Sequence, residues 1–259
     1  MYNIIKYEFL RKHKMFLITA VTAIIINLIA IINKGVTGSI SCLSLFPVAI
    51  SILYISDVIK MYSDDLNKKL GYMLFMTPNS GYKIVISKVL TAILEGFAIL
   101  FIYLIFILIN GIYLMTVAGL DFNINLSEIT RGINMILSGS IGFNLGHLFV
   151  FLLTALVFII SFILTVYTSI TIRKSIFSEI RLGGFLSFII FIILNWGISY
   201  LSSNIMSALT PYYNPLINGS NISVTDMATV FLPFIIITLI ECAIMTAGSG
   251  YLLEKKINL

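Results

Sequence analysis

The chain has 259 residues, of which 59% are apolar and only 10% charged, and its mean hydropathy is +1.06. Soluble domains carry about 25% charged residues. The bilayer is therefore the main solvent, and the length is counted in spans of roughly 20 residues each rather than in soluble domains. The net charge of +5 comes without a basic stripe interleaved with stacking aromatics, which excludes nucleic acid as a partner.

The chain opens with MYNIIKYEFLRKHK. Ile5, Phe9 and Lys12 recur at helical spacing, and Tyr2 shares that face. This reads as a short amphipathic helix on the inner leaflet, its basic residues at the headgroups. Plain flanking charge accounts for the stretch equally well. Six apolar runs follow: Met15–Ile32, Ile40–Ile59, Val89–Val117, Leu145–Ile170, Gly183–Leu201 and Thr229–Leu253. Each is long enough to span as a helix, the form that satisfies its own backbone in lipid. The first is too long for the core of a signal peptide, and no small-residue cleavage site follows it.

Fourteen of the sixteen basic residues fall on one side of this arrangement, and only Lys34 and Arg131 on the other. The positive-inside rule then puts both termini in the cytosol. With no linker or repeat dividing the chain, residues 1–259 read as one membrane domain. A tight outer turn, Asn33–Ser39, carries Gly35 and Gly38 between the first two spans. Between spans three and four, Ile129, Ile133, Ile136 and Leu137 follow a plausible cap at Ser127 and predict an outer interfacial helix. Cys42 and Cys242 lie in separate apolar runs and read as small buried hydrophobes, not as a disulfide or zinc pair.

The inner segment between spans two and three is the most distinctive. Tyr62, Leu66, Leu70 and Met73 make one apolar helical face, with Asp64, Asp65, Asn67 and Lys68 around the rest. Thr77-Pro78 breaks that helix, and Asn79-Ser80-Gly81 turns the chain into the next one. The result is a helix–break–helix element whose tip, Tyr72 to Tyr82, projects aromatic and small polar groups. Apolar patches rimmed by charge mark binding surfaces.

This element, the six spans and the N-terminal amphipathic helix together resemble the permease subunit of a bacterial type-2 ABC exporter. Members of that family carry after span two an acidic–basic–Gly-Tyr–Thr-Pro–Ser–Lys pattern, matched here by Asp64, Asp65, Lys68, Lys69, Gly71, Tyr72, Thr77, Pro78, Ser80, Lys83 and Lys88. The resemblance implies that the segment is a cytosolic coupling helix docking into an ATP-binding subunit. Leu66, Leu70, Gly71, Tyr72, Met73, Leu74, Phe75, Thr77, Pro78 and Tyr82 would make the contact. It also implies a second permease chain, the same or different, and a plasma-membrane location. The chain has no GxxxxGK[ST] motif, so ATP and Mg would be held by the partner and not by this chain.

Within the membrane, Glu241 stands midway along the sixth run, where a carboxylate costs at least about 2.5 kcal/mol and must face the bundle interior, a cavity or a partner. It reads as a substrate-path or gating residue, or as a hydrogen-bonded packing residue. Ala243, Ala247 and Gly250 offer a small-residue face in the same run. Glu95 reads as lying near the inner headgroups. Span five carries Asn195, Ser199 and Ser202 on one stripe, and span two carries Ser44 and Ser51. In the resembled family these two spans line the transport path, although such stripes also serve as interhelical hydrogen bonds. The two histidines, His13 and His147, fall on opposite sides, and no catalytic or metal constellation is evident. The sequence therefore predicts an exporter subunit for an amphipathic substrate. The alternatives are an ATP-independent transporter or channel working through an intramembrane carboxylate, and a membrane-embedded assembly or immunity factor.

Overall fold

A computed structural model describes residues 2–67, 80–117, 131, 134–135, 144–177, 183–217 and 223–255; the side chains of residues 2–4, 13–16, 183 and 210–217 are outside the description. The described residues form five helical elements: α1 (Tyr2–Asn67), α2 (Gly81–Val117), α3 (Leu145–Ile176), α4 (Gly183–Ile217) and α5 (Val224–Lys255). All five are long and apolar enough to cross a bilayer. Residues 68–79, which hold the predicted tip up to Asn79, and all of the predicted interfacial helix except Arg131, Asn134 and Met135, lie outside the described residues.

α1 is not straight. Lys12 Nζ and Asp57 Oδ2 meet at 2.5 Å although 45 residues separate them, and a continuous helix would hold them about 68 Å apart. The chain reverses at Gly35, whose φ of 57° and ψ of −131° break the helical run. That combination belongs to the first central residue of a type II′ turn and favours glycine. Gly38 then lies so close to the first arm that an added Cβ would stand 2.1 Å from the Ala30 carbonyl oxygen. The predicted turn is thus a hairpin corner, with residues 2–34 and 36–67 as antiparallel arms.

The predicted amphipathic segment is not a separate element, because a single helix runs from Tyr2 into the first arm. Lys12, expected at the headgroups, is 6% exposed, and Glu8 is 2% exposed. α2 begins eight residues before the predicted third run, extending it to Gly81.

Contacts gather the chain into two compact units. In the first, the second arm of α1 runs antiparallel to α2. Ser39 Oγ donates to Asn110 Oδ1 at 2.7 Å, and the Phe46 and Phe106 rings stack at 4.2 Å. Further along, Tyr54 OH donates to the Ala92 carbonyl at 2.9 Å while its ring lies against Gly96. Lipid is as apolar as the side chains, so ring stacking and buried hydrogen bonds of this kind do much of the work of holding helices together.

The second unit holds α3, α4, α5 and the first turn of α2, residues 81–85. α3 packs most closely on α5 and next on α4. Every residue from 163 to 171 is buried, a stretch containing Thr165, Thr168, Ser169 and Thr171, whose hydroxyls bond back to carbonyls one turn earlier. α5 turns Thr238, Cys242, Ser249 and Gly250 inward, whereas Ala243 and Ala247 of the predicted small-residue face are exposed. The start of α2 is seated on α5: Gly81 N–H donates to Glu254 Oε1 at 2.8 Å, and Gly250 faces the Tyr82 ring. Two helix starts are capped by their own side chains. Asn144 and His147 form a reciprocal box at α3, and Ser223 and Asp226 do the same at α5.

Candidate functional site

In the first unit three helical segments bring seven charged side chains together. Glu8, Arg11 and Lys12 stand at i, i+3 and i+4 of the first arm, hence on one face. Asp57 and Asp65 come from the second arm, and Lys88 and Glu95, seven residues apart, from one stripe of α2. Hairpin reversal and antiparallel packing place all of them at the same end of the unit.

Four of the seven form a closed ring. Lys88 Nζ donates to Glu8 Oε1 at 2.5 Å and to Asp65 Oδ2. Arg11 donates to Glu8 Oε2 at 2.7 Å and approaches Asp65 Oδ1 at 3.4 Å. Each carboxylate therefore uses both of its oxygens, and two cations balance two anions. Lys88 is wholly buried, while the Arg11 side chain is 36% exposed. A charge taken out of water is tolerated when its hydrogen bonds are complete in this way.

The other three are Lys12, Asp57 and Glu95. Lys12 Nζ donates to Asp57 Oδ2 at 2.5 Å and to Glu95 Oε2 at 2.7 Å, so one ammonium serves two carboxylates. Asp57 and Glu95 also hydrogen-bond each other. This triad forms the polar end of a cavity of about 290 Å³ between the two arms and α2, near the lower edge of the size range of small-ligand sites. Beyond the triad the wall is apolar, with Ile26, Leu45, Phe46, Ile50, Leu53 and Phe106 among its residues. Three of the lining hydroxyls bond backbone carbonyls, Tyr54 that of Ala92 in α2 at 2.9 Å. Thr22 bonds the Ile18 carbonyl at 2.9 Å and Ser41 the Gly38 carbonyl at 2.9 Å.

In the second unit, Glu241 is half-buried and accepts a hydrogen bond of 2.5 Å from Ser202 Oγ, which clasps α5 to α4. Of the predicted stripe, only Ser202 reaches it; Asn195 and Ser199 are exposed. Ser44 and Ser51 are also exposed, and they bond the carbonyls of Ser41 at 3.0 Å and Pro47 at 2.7 Å. Of the predicted docking residues inside the description, Leu66 is buried and Tyr82 is 36% exposed. Leu70, Gly71, Tyr72, Met73, Leu74, Phe75, Thr77 and Pro78 lie outside it. His147 is a helix-capping side chain.

Glu8 and Asp57 were not among the residues singled out from the sequence, although both sit at helical spacing from other charges in apolar surroundings. Such charges in a spanning segment must find partners. The identity of those partners depends on the reversal at Gly35, which the spacing alone does not convey.

Helices of this length and composition define an all-α, multi-pass membrane protein. Comparison with known protein families, curated proteins and solved structures gave no match.

Proposed function

We propose that the chain is the transmembrane subunit of an ATP-driven exporter in a bacterial plasma membrane. In this reading it has six spans, the two arms of α1 counting separately, and both termini are cytosolic. It pairs with a second permease chain and with an ATP-binding subunit that supplies ATP and Mg. The cargo is amphipathic, a peptide, toxin or lipid-like compound.

The observation that carries the reading is the buried Lys88–Asp65 pair. It clasps the two ends of the charged segment that bears the Gly71-Tyr72 and Thr77-Pro78 pattern. A docking tip braced at its base passes a push to the helices that hold it instead of absorbing the push in a loose loop. Leu66 and Tyr82 lie at the two edges of that tip, and residues 68–79 lie between them.

Two measurements test this. Purification from native membranes is expected to bring down a chain with a P-loop ATPase motif, and repeated purification without one overturns the reading. In the reconstituted complex, Tyr72→Ala with Met73→Ala is expected to leave basal ATP hydrolysis in place and abolish its stimulation by transport.

A second reading has its own support. The triad of Lys12, Asp57 and Glu95 at a cavity end supplies buried carboxyl groups of the kind that an ATP-independent, proton-coupled transporter uses. Uptake driven by a proton gradient in vesicles containing this chain alone would favour it.

A further inference from the structure

We propose that Asp57 and Glu95 form a proton-binding site, in which one exchangeable proton lies between their carboxyl groups and Lys12 holds the pair. Occupancy of the site sets the charge of the cavity end. With the proton the triad is neutral, and without it the triad carries one negative charge.

The hydrogen bonding requires the proton. Ionised carboxylates are acceptors only and cannot hydrogen-bond each other. Asp57 and Glu95 do so, and one of them therefore carries a hydrogen and donates it. Lys12 Nζ bonds both groups, at 2.5 and 2.7 Å. Its single positive charge then meets a pair whose net charge is minus one. Two bare carboxylates on one ammonium would instead leave a surplus charge where Glu95 is 2% and Lys12 6% exposed. Like charges that share so dry a site do not both ionise.

The neighbours decide which group carries it. Asp57 faces Lys12 of the first arm and lies in the field of Lys60 on its own arm, and its side chain keeps 16% of its surface exposed. The negative charge belongs there. Glu95 lies deeper and is the donor. Its other titratable neighbour is Tyr54, whose OH is committed to the Ala92 carbonyl at 2.9 Å and supplies no second proton. The ring of Glu8, Arg11, Asp65 and Lys88 closes on itself at the same end of the unit and adds no net charge. Loss of the proton to water turns the Asp57–Glu95 hydrogen bond into a repulsion, which weakens the hold of the second arm on α2. This inference rests on neither transport reading, since the pair holds its proton whether or not a proton crosses the membrane.

Infrared difference spectroscopy of the full chain tests this, because a protonated carboxyl has a C=O stretch clear of the amide bands. The protein is held in a detergent without ester groups. At neutral pH, Glu95→Gln is expected to lose one protonated-carboxyl band relative to wild type. Asp57→Asn is expected to lose the same band, because Glu95 alone beside Lys12 makes a balanced ion pair and gives up its proton. A carboxyl protonated by burial alone would keep its band in Asp57→Asn. Raising the pH is expected to remove the band from wild type. The folded chain then releases a proton that the unfolded chain has already lost, so stability falls as pH rises. Across the disappearance of the band, the thermal midpoint is expected to drop further in wild type than in Glu95→Gln, whose amide cannot lose that proton. If Glu95→Gln does not fold, Asp57→Asn and the wild-type pH series decide. No such band at neutral pH, a band that survives either substitution, or equal drops in the two midpoints overturns the proposal.

Discussion

Lys88 has no exposed surface and faces two carboxylates, Glu8 and Asp65, each of which also contacts Arg11. Removing its ammonium leaves two negative charges to one positive in a buried ring, and losing one partner of a buried pair costs about 3–5 kcal/mol. Lys88→Met keeps the length and apolar stem of the side chain, so its effect reports the charge. Arg11 lies at the edge of the same ring with its side chain 36% exposed, and water compensates for part of its loss. Lys88→Met is therefore expected to lower the thermal unfolding midpoint of the purified protein clearly more than Arg11→Met. Equal effects would show that the ring is not the closed, buried unit described here.

The helices themselves are simple; their turns and close approaches are specific. Gly38 is pressed against the first arm of α1, where an added Cβ would stand 2.1 Å from a backbone oxygen that cannot swing away. Gly38→Ala is expected to force the hairpin open and lower the thermal midpoint. Gly111→Ala meets nothing within 4 Å and is expected to be neutral or to stabilise by about 0.5–1 kcal/mol, since alanine is the better helix former. In the second unit, Gly250 approaches Tyr82 so closely that a Cβ would stand 2.4 Å from the ring. Gly250→Ala should destabilise by roughly 1–3 kcal/mol, as overpacking does. Tyr82→Ala should relieve much of that cost in the double variant, giving a strong coupling in a double-mutant cycle. Additive losses would refute the contact.

These elements also show what could be read from the sequence. Apolar runs longer than a bilayer is thick announce helices almost by themselves, and the glycine pair at 35 and 38 announced a turn. The charge ring did not announce itself. Glu8, Asp65 and Lys88 lie up to 80 residues apart, and a charge flanking a span reads as a headgroup anchor unless its partner is known. The cavity was hidden for the same reason. Its walls come from three segments whose apolar residues look alike in sequence, and only the antiparallel register brings Cys42, Asp57 and Glu95 to one space. Glu241 was noticeable because it stands alone in an apolar run, and its partner Ser202 lay on a stripe already identified.

For the molecule as a whole, the decisive question is how many times the chain crosses the bilayer. Five helical elements are long enough to span, and if each crossed once the termini would lie on opposite sides. α1 alters that parity. Its arms meet at Lys12 and Asp57 and at Arg11 and Asp65, so in the proposed reading the chain that enters through the first arm returns through the second, which would make a sixth crossing. Lys6, Arg11 and Lys12 at one terminus and Lys255 and Lys256 at the other both favour the cytosolic face under the positive-inside rule. The expected outcome is that impermeant labels or proteases applied to sealed, inside-out vesicles reach tags at both ends, and that intact cells protect both. A tag at Gly35 should show the opposite accessibility, since it marks the far end of the hairpin. Termini on opposite sides would remove the hairpin from the membrane. The braced cytosolic segment would then lose the same-side geometry on which coupling to an ATPase depends, and the exporter reading would fall with it.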